Sequence, residues 1–162
     1  MQLKNTYSAR EVAAMTGLTA RQLQWWETRL VAPAVASKRT AAGGFTERRY
    51  TPVDLLELMV LADLRRQGLS VARLRLLLET LRQRFGIRLF DVVGGTGPLT
   101  LLTDGQEIYA RTKAGHFYNL LRAPSQPLLV VGMDPPMREI TAKVRAHRKR
   151  PKRRATAAKT KG

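Results

Sequence analysis

Two helix starts lie close together near the amino terminus, and they constrain the fold more than any other feature. Ser8 is followed three residues later by Glu11, and Thr19 three residues later by Gln22. In each pair the hydroxyl can accept a backbone N–H while the second side chain reaches back to the backbone of the first. Starts this close leave room only for two short helices and a tight turn. Gly17 lies between them, where a left-handed backbone ends the first helix. On the first helix Val12, Ala13 and Met15 are expected to face inward, joined by Leu18 in the turn, and on the second Leu23 and Trp26 repeat at helical spacing. Arg21, Gln22, Gln24 and Trp25 then occupy the opposite face of the second helix. Arg and Gln can form paired hydrogen bonds to base edges in the major groove, which a helix is about wide enough to fill. The same caps and periodicity also fit a plain helical hairpin with a solvated face.

The chain leaves the second helix through Leu30-Val31-Ala32-Pro33, because proline cannot continue it. Val35 to Arg39 and Phe45 to Tyr50 read as strands of a hairpin turning at Gly43-Gly44. Such a wing would set Lys38, Arg39, Arg48 and Arg49 against phosphates, fixing register rather than reading bases. A solvated edge guarded by charge is the competing reading. Thr51-Pro52-Val53-Asp54 is a helix start with a capping hydroxyl, a first-turn proline and an acid. That helix should run to about Gln67, apolar over much of its circumference, as a spine for the head. Gly68 stops it and Ser70 caps the next, where Val71, Leu74, Leu77, Leu78, Leu81 and Phe85 recur at three- and four-residue spacing until Gly86.

Tyr7-Ser8-Ala9-Arg10-Glu11-Val12-Ala13, Thr16 to Glu27, Arg48-Arg49-Tyr50-Thr51, Asp54-Leu55 and Leu64 to Ser70 together resemble the amino-terminal domain of the MerR family of transcription regulators. The resemblance covers about Tyr7 to Leu81. It implies a winged helix-turn-helix that binds promoter DNA as a homodimer and distorts it, so that RNA polymerase is engaged indirectly. The expected contact set is Thr19, Arg21, Gln22, Gln24, Trp25, Lys38, Arg39, Arg48, Arg49 and Tyr50. Within it Arg21, Gln22 and Gln24 would approach bases, while Trp25, Arg48 and Tyr50 would grip the backbone. The sequence departs from the family in three places. Trp25-Trp26 replaces the usual pair of tyrosines, so an indole N–H stands where a phenol could reach a phosphate. The wing is lengthened by Thr40 to Gly44, which leaves the register of Phe45 open. The long helix that forms the family's antiparallel coiled-coil dimer ends early at Gly86, with no sustained heptad beyond it. A dimer is still expected, because symmetric operators suit two-fold proteins.

Charge points to the same class of partner. The 162 residues carry a net charge of +17. From Arg148 onward there are eight Lys or Arg and no acid, leaving 21 basic residues against 12 acidic ones, a surplus of 9 outside the tail. Such an excess favours polyanions and weakens with salt. No amphipathic anchor accompanies the tail, so nucleic acid is expected rather than a membrane. The apolar run Leu128 to Val131 is far too short to span a bilayer, and no cleavable leader is seen, so a cytoplasmic, nucleoid-associated bacterial protein is expected. Cysteine is absent, which excludes disulfides and thiolate metal sites, and with only His116 and His147 a histidine metal site is not expected.

An apolar content of 44% supports a packed core. The fold class is read as mainly α with small β content. It divides into a winged helix-turn-helix head over 1–86, a small α+β domain over 87–146 serving oligomerisation or an effector, and a disordered basic tail over 147–162. In the second part Leu89 to Val93 fits either a helical turn or a strand. Leu99 to Thr103 and Gln106 to Ala110 flank the hairpin signal Asp104-Gly105. His116 to Leu121 reads as a short helix, Leu128 to Val131 as a buried strand and Pro136 to Ala146 as a final helix. Gly94-Gly95-Thr96-Gly97 lacks the lysine and context of a phosphate loop. Scattered carboxylates and an unpartnered Ser125 give no catalytic set, so no enzyme activity and no cofactor are expected. Tyr109, Phe117 and Tyr118 could line a site for an unknown small effector or simply form core. The functional expectation is a sequence-specific transcription regulator acting on double-stranded DNA. The alternative is an architectural or recombination-accessory protein that bends or coats DNA, and the tail would serve as a non-specific tether or only as a solubiliser.

Overall fold

The computed structural model describes residues 4–31, 33, 42–43, 47–94, 97–128 and 137–141. Both reciprocal caps form. Ser8 Oγ accepts the Glu11 N–H at 3.1 Å and Glu11 Oε1 accepts the Ser8 N–H at 3.4 Å, opening α1 (Ala9–Thr16). Thr19 Oγ1 accepts the Gln22 N–H at 3.0 Å and Gln22 Oε1 accepts the Thr19 N–H at 2.9 Å, opening α2 (Ala20–Glu27). Gly17 ends α1 at φ 76°, its N–H donating to the Ala13 carbonyl at 3.0 Å. Val12, Leu18, Leu23 and Trp26 are buried as expected. Met15 is not, being 41% exposed. The inward arc of α1 is centred between Val12 and Thr16, one turn apart, and Met15 falls off its edge. Thr16 takes the buried place, its hydroxyl donating to the Val12 carbonyl at 2.7 Å and accepting the Leu18 N–H at 3.2 Å.

Strand β1 (Tyr7–Ser8) pairs antiparallel with β2 (Arg49–Tyr50), Tyr7 opposite Tyr50. The end of the expected wing strand is therefore present, paired with the two residues that lead into α1. The first expected wing strand, with Lys38 and Arg39, and residues 44–46 lie outside the described residues. Thr51 caps α3 (Pro52–Arg66), whose Leu55, Leu58, Leu61 and Leu64 are buried as the spine of the head. Ser70 caps α4 (Val71–Thr80), which widens into a π-helical turn over Leu81–Phe85 and stops at Gly86, φ 64°. Leu74, Leu77 and Leu81 form its buried stripe.

Beyond Gly86 the helix-or-strand ambiguity over Leu89–Val93 resolves as helix α5. A five-stranded antiparallel sheet follows: β3 (Leu99–Thr103), β4 (Ile108–Thr112), β5 (Phe117–Asn119), β6 (Ala123–Leu128) and β7 (Arg138–Glu139), in the order β6-β5-β4-β3-β7. The Asp104-Gly105 hairpin forms, but Thr103 pairs with Ile108, so the loop spans four residues rather than two. The Asp104 carboxylate holds that loop by accepting the N–H groups of Glu107 at 2.7 Å and Gln106 at 2.9 Å, which lowers its pKa. His116 to Leu121 is not a helix: Phe117–Asn119 is β5, with Tyr118 opposite Ala110 and its ring edge-on to Phe85 at 6.5 Å. Of the helix expected over Pro136 to Ala146 only residues 137–141 are described, and these are not helical. Arg138–Glu139 pairs with Leu102 and Thr103, and the Ile140 N–H donates to the Leu101 carbonyl at 2.8 Å. The open edge of β3 offers backbone hydrogen bonds that outweigh a weak local helix preference. Leu128 ends β6 and is 40% exposed, not buried, while 129–131 lie outside the described residues. Gly97 passes so close under α5 that a Cβ there would collide with the Asp91 carbonyl oxygen.

The head and the sheet share one apolar core, continuous from Tyr7 to Ile140. Polar ties reinforce the join. Glu107, nearly buried, receives Arg122 Nε at 2.7 Å, Arg73 Nη2 at 3.3 Å and Asn119 Nδ2 at 3.3 Å, linking α4 to the sheet. Arg88 reaches from the start of α5 to Asp54 at 3.4 Å and to Glu57 on α3.

Candidate nucleic-acid interface

Leu23 and Trp26, 1% and 2% exposed, pin α2 to the body and leave its other face outward. Arg21, Gln22, Gln24 and Trp25 are all exposed on that face. The turn before α2 is fixed from below: Arg66 Nη1 donates to the Thr16 carbonyl at 2.8 Å. The polar side chains of the face are not equally available. Gln22 Oε1 is engaged in the cap with Thr19, so Gln22 offers its amide N–H groups outward and would have to give up the cap to make a two-point contact with adenine. Thr19 is exposed, with its hydroxyl held by the Gln22 N–H. No intramolecular hydrogen bond or ion pair engages the side chains of Arg21 or Gln24 among the described residues.

Trp25 is 44% exposed and carries the guanidinium of Arg29 over its ring, with the guanidinium carbon 4.0 Å from the ring centroid. Arg29 Nη1 also donates to the Trp25 carbonyl at 3.2 Å and to Thr28 Oγ1 at 3.4 Å. Arg29 is absent from the residues singled out by sequence. The available signal is an Arg four residues after an exposed aromatic, the spacing that brings side chains together along a helix.

Arg48 Nη1 lies 2.9 Å from Glu27 Oε2 with both side chains 19% exposed, which ties the segment entering β2 to the end of α2. Arg49 pairs with Glu47 at 3.4 Å on the open surface, where such pairs contribute little. Tyr50 requires a correction. It is 0% exposed, its ring is in the core, and its hydroxyl has no hydrogen-bond partner among the described residues, so it does not lie on the surface where a phosphate could be gripped. Burial also raises its phenol pKa, against the pull of nearby Arg48. The pairing with Tyr7 and the cap at Thr51 turn this ring inward.

Among the described residues no group of three or more His, Asp or Glu is arranged to hold a metal ion, and no helix is long and apolar enough to cross a membrane. The described surface includes two clefts of comparable volume. One, of about 500 Å³, lies between α1, α3 and β7, and the other, of about 460 Å³, between the end of α2, α3, α4 and α5. Neither is lined by Tyr109, Phe117 or Tyr118, and Tyr118 packs against Phe85 as core.

Two capped helices across a left-handed glycine turn, the second with an outward Arg and Gln face beside a basic strand, define a helix-turn-helix domain. Residues 7–81 match the MerR HTH family of regulatory proteins, so this part of the chain is a MerR-type helix-turn-helix domain. Curated relatives from Mycobacterium bovis and from two strains of Mycobacterium tuberculosis, each described as an uncharacterized HTH-type transcriptional regulator, are 32% identical over 136 residues. The alignment covers 83% of this chain and 56% of each relative, so the chain spans little more than half their length.

Proposed function

We propose that this chain is a sequence-specific DNA-binding transcription regulator that acts on promoter DNA as a homodimer, engages RNA polymerase only through the DNA, and works at the bacterial nucleoid. The observation that carries this reading is the outward face of α2, where Arg21 and Gln24 have no internal partner among the described residues while Leu23 and Trp26 lock the helix beneath them. In this reading Arg21 and Gln24 approach base edges, Gln22 contributes through its amide N–H groups, and the basic wing sets register. The names of the mycobacterial relatives agree with it.

The test is selection of a preferred duplex from a random pool with the full chain, followed by affinity measurements on that duplex and on random DNA at physiological salt. A preference above about a thousandfold is expected for a regulator, and Arg21→Ala should abolish it. A second reading, an architectural or recombination-accessory protein, is favoured by the net charge of +17. A preference below about a hundredfold would select that reading instead.

A further inference from the structure

We infer that Arg29, held on the ring of Trp25, is a phosphate-contacting residue, and that Trp25 serves as its platform rather than as the contact itself. This rests on the DNA-binding reading above. Arg21, Trp25 and Arg29 follow one another at intervals of four residues, and the helical turn continues past Glu27 because the Trp26 carbonyl accepts the N–H of Leu30 at 2.7 Å. The three side chains therefore run along one edge of the outward face. An indole offers a phosphate one N–H, and one face of the Trp25 ring is already taken by Arg29 at 4.0 Å.

Arg29 is the better donor. Its Nη1 is occupied by the Trp25 carbonyl and Thr28 Oγ1, which fixes the plane of the guanidinium and leaves the Nε and Nη2 N–H groups directed elsewhere. No carboxylate pairs with it among the described residues, whereas the nearby Arg48 is already neutralised by Glu27 at 2.9 Å. A preorganised, unpaired guanidinium on an aromatic support suits a phosphate, since planar two-point donation is retained and less side-chain freedom is lost on binding. The bland reading is that Arg29 only caps the carbonyl end of α2.

Duplex binding by the full-length variants Arg29→Gln, Arg29→Lys, Trp25→Ala and the double variant Trp25→Ala with Arg29→Gln separates the two. Gln can still donate to the helix end, so a capping role survives while the charge is lost. Arg29→Gln is expected to weaken binding about tenfold and equally on the selected and random duplexes, and to reduce the slope of log affinity against log salt by about 1. Arg29→Lys should keep that slope. Trp25→Ala should weaken binding through loss of the platform, and the double variant should bind within about twofold of Arg29→Gln, because both substitutions remove one contact. An unchanged salt slope in Arg29→Gln, unaltered binding by Trp25→Ala, or losses that multiply in the double variant would each overturn the assignment while leaving the DNA-binding reading in place. Failure of the unmodified chain to bind any duplex would remove that reading and the contact with it.

Discussion

Tyr50 places a phenol in the core with no hydrogen-bond partner among the described residues, a cost that its ring packing must offset. Removing only the oxygen should relieve it. Tyr50→Phe is expected to be neutral or more stable by up to about 1 kcal/mol in urea unfolding, with duplex affinity unchanged within about twofold. A large affinity loss would mean that the hydroxyl reaches DNA in the bound form. Glu57 poses the charged version of the same problem. Burial raises its pKa above the ordinary carboxylate value, against the favourable pull of Arg88. The folded state thus holds the Glu57 proton more tightly than the unfolded state does. The stability this contributes is complete below the unfolded value and is lost as pH rises through the folded one. Glu57→Gln has no such proton to lose, so its stability relative to the parent chain should improve from pH 4 to pH 8. A difference that stays flat across that range would show that Arg88 fully compensates the buried charge.

At the scale of elements, the local signals proved sufficient where the stabilising contact is itself local. Each cap at Ser8, Thr19, Thr51 and Ser70 closes within three residues, so the helix starts could be read directly from the chain. Thr19→Ala should cost about 1 kcal/mol in unfolding free energy. It should also weaken binding to the selected duplex, because it frees the first turn of α2 and Gln22 together. Unchanged binding would show that the cap has no part in presenting α2. The failures share the opposite cause. Arg138–Glu139 become a strand only because β3, distant in sequence, presents an open edge, and Phe117 and Tyr118 become one because β4 stands beside them. Tyr50 resembles a surface contact until its pairing with Tyr7 is known. In the candidate interface the outward side chains of α2 were legible from helical periodicity. The engagement of Gln22 in its cap, the Arg48–Glu27 pair and the Trp25–Arg29 stack depend on side-chain geometry that spacing alone leaves open.

For the whole molecule, a net charge of +17 makes salt the variable that should dominate any binding measurement. Removing Arg148 onward is expected to lower affinity for selected and random DNA about equally and to flatten the salt dependence. Loss confined to the selected duplex would give those residues a reading role instead. The apolar interior passes without interruption from the paired helices into the five-stranded sheet, and Glu107 and Arg88 stitch the seam with charge. A fragment cut after Gly86 would therefore open the apolar core that the head shares with the sheet, so the half proposed to touch DNA is not expected to behave as a detachable module. Anything that loosens the sheet, whether a small molecule, a protease or a companion protein, is expected to disturb α2, the helix proposed to read DNA, through the shared interior.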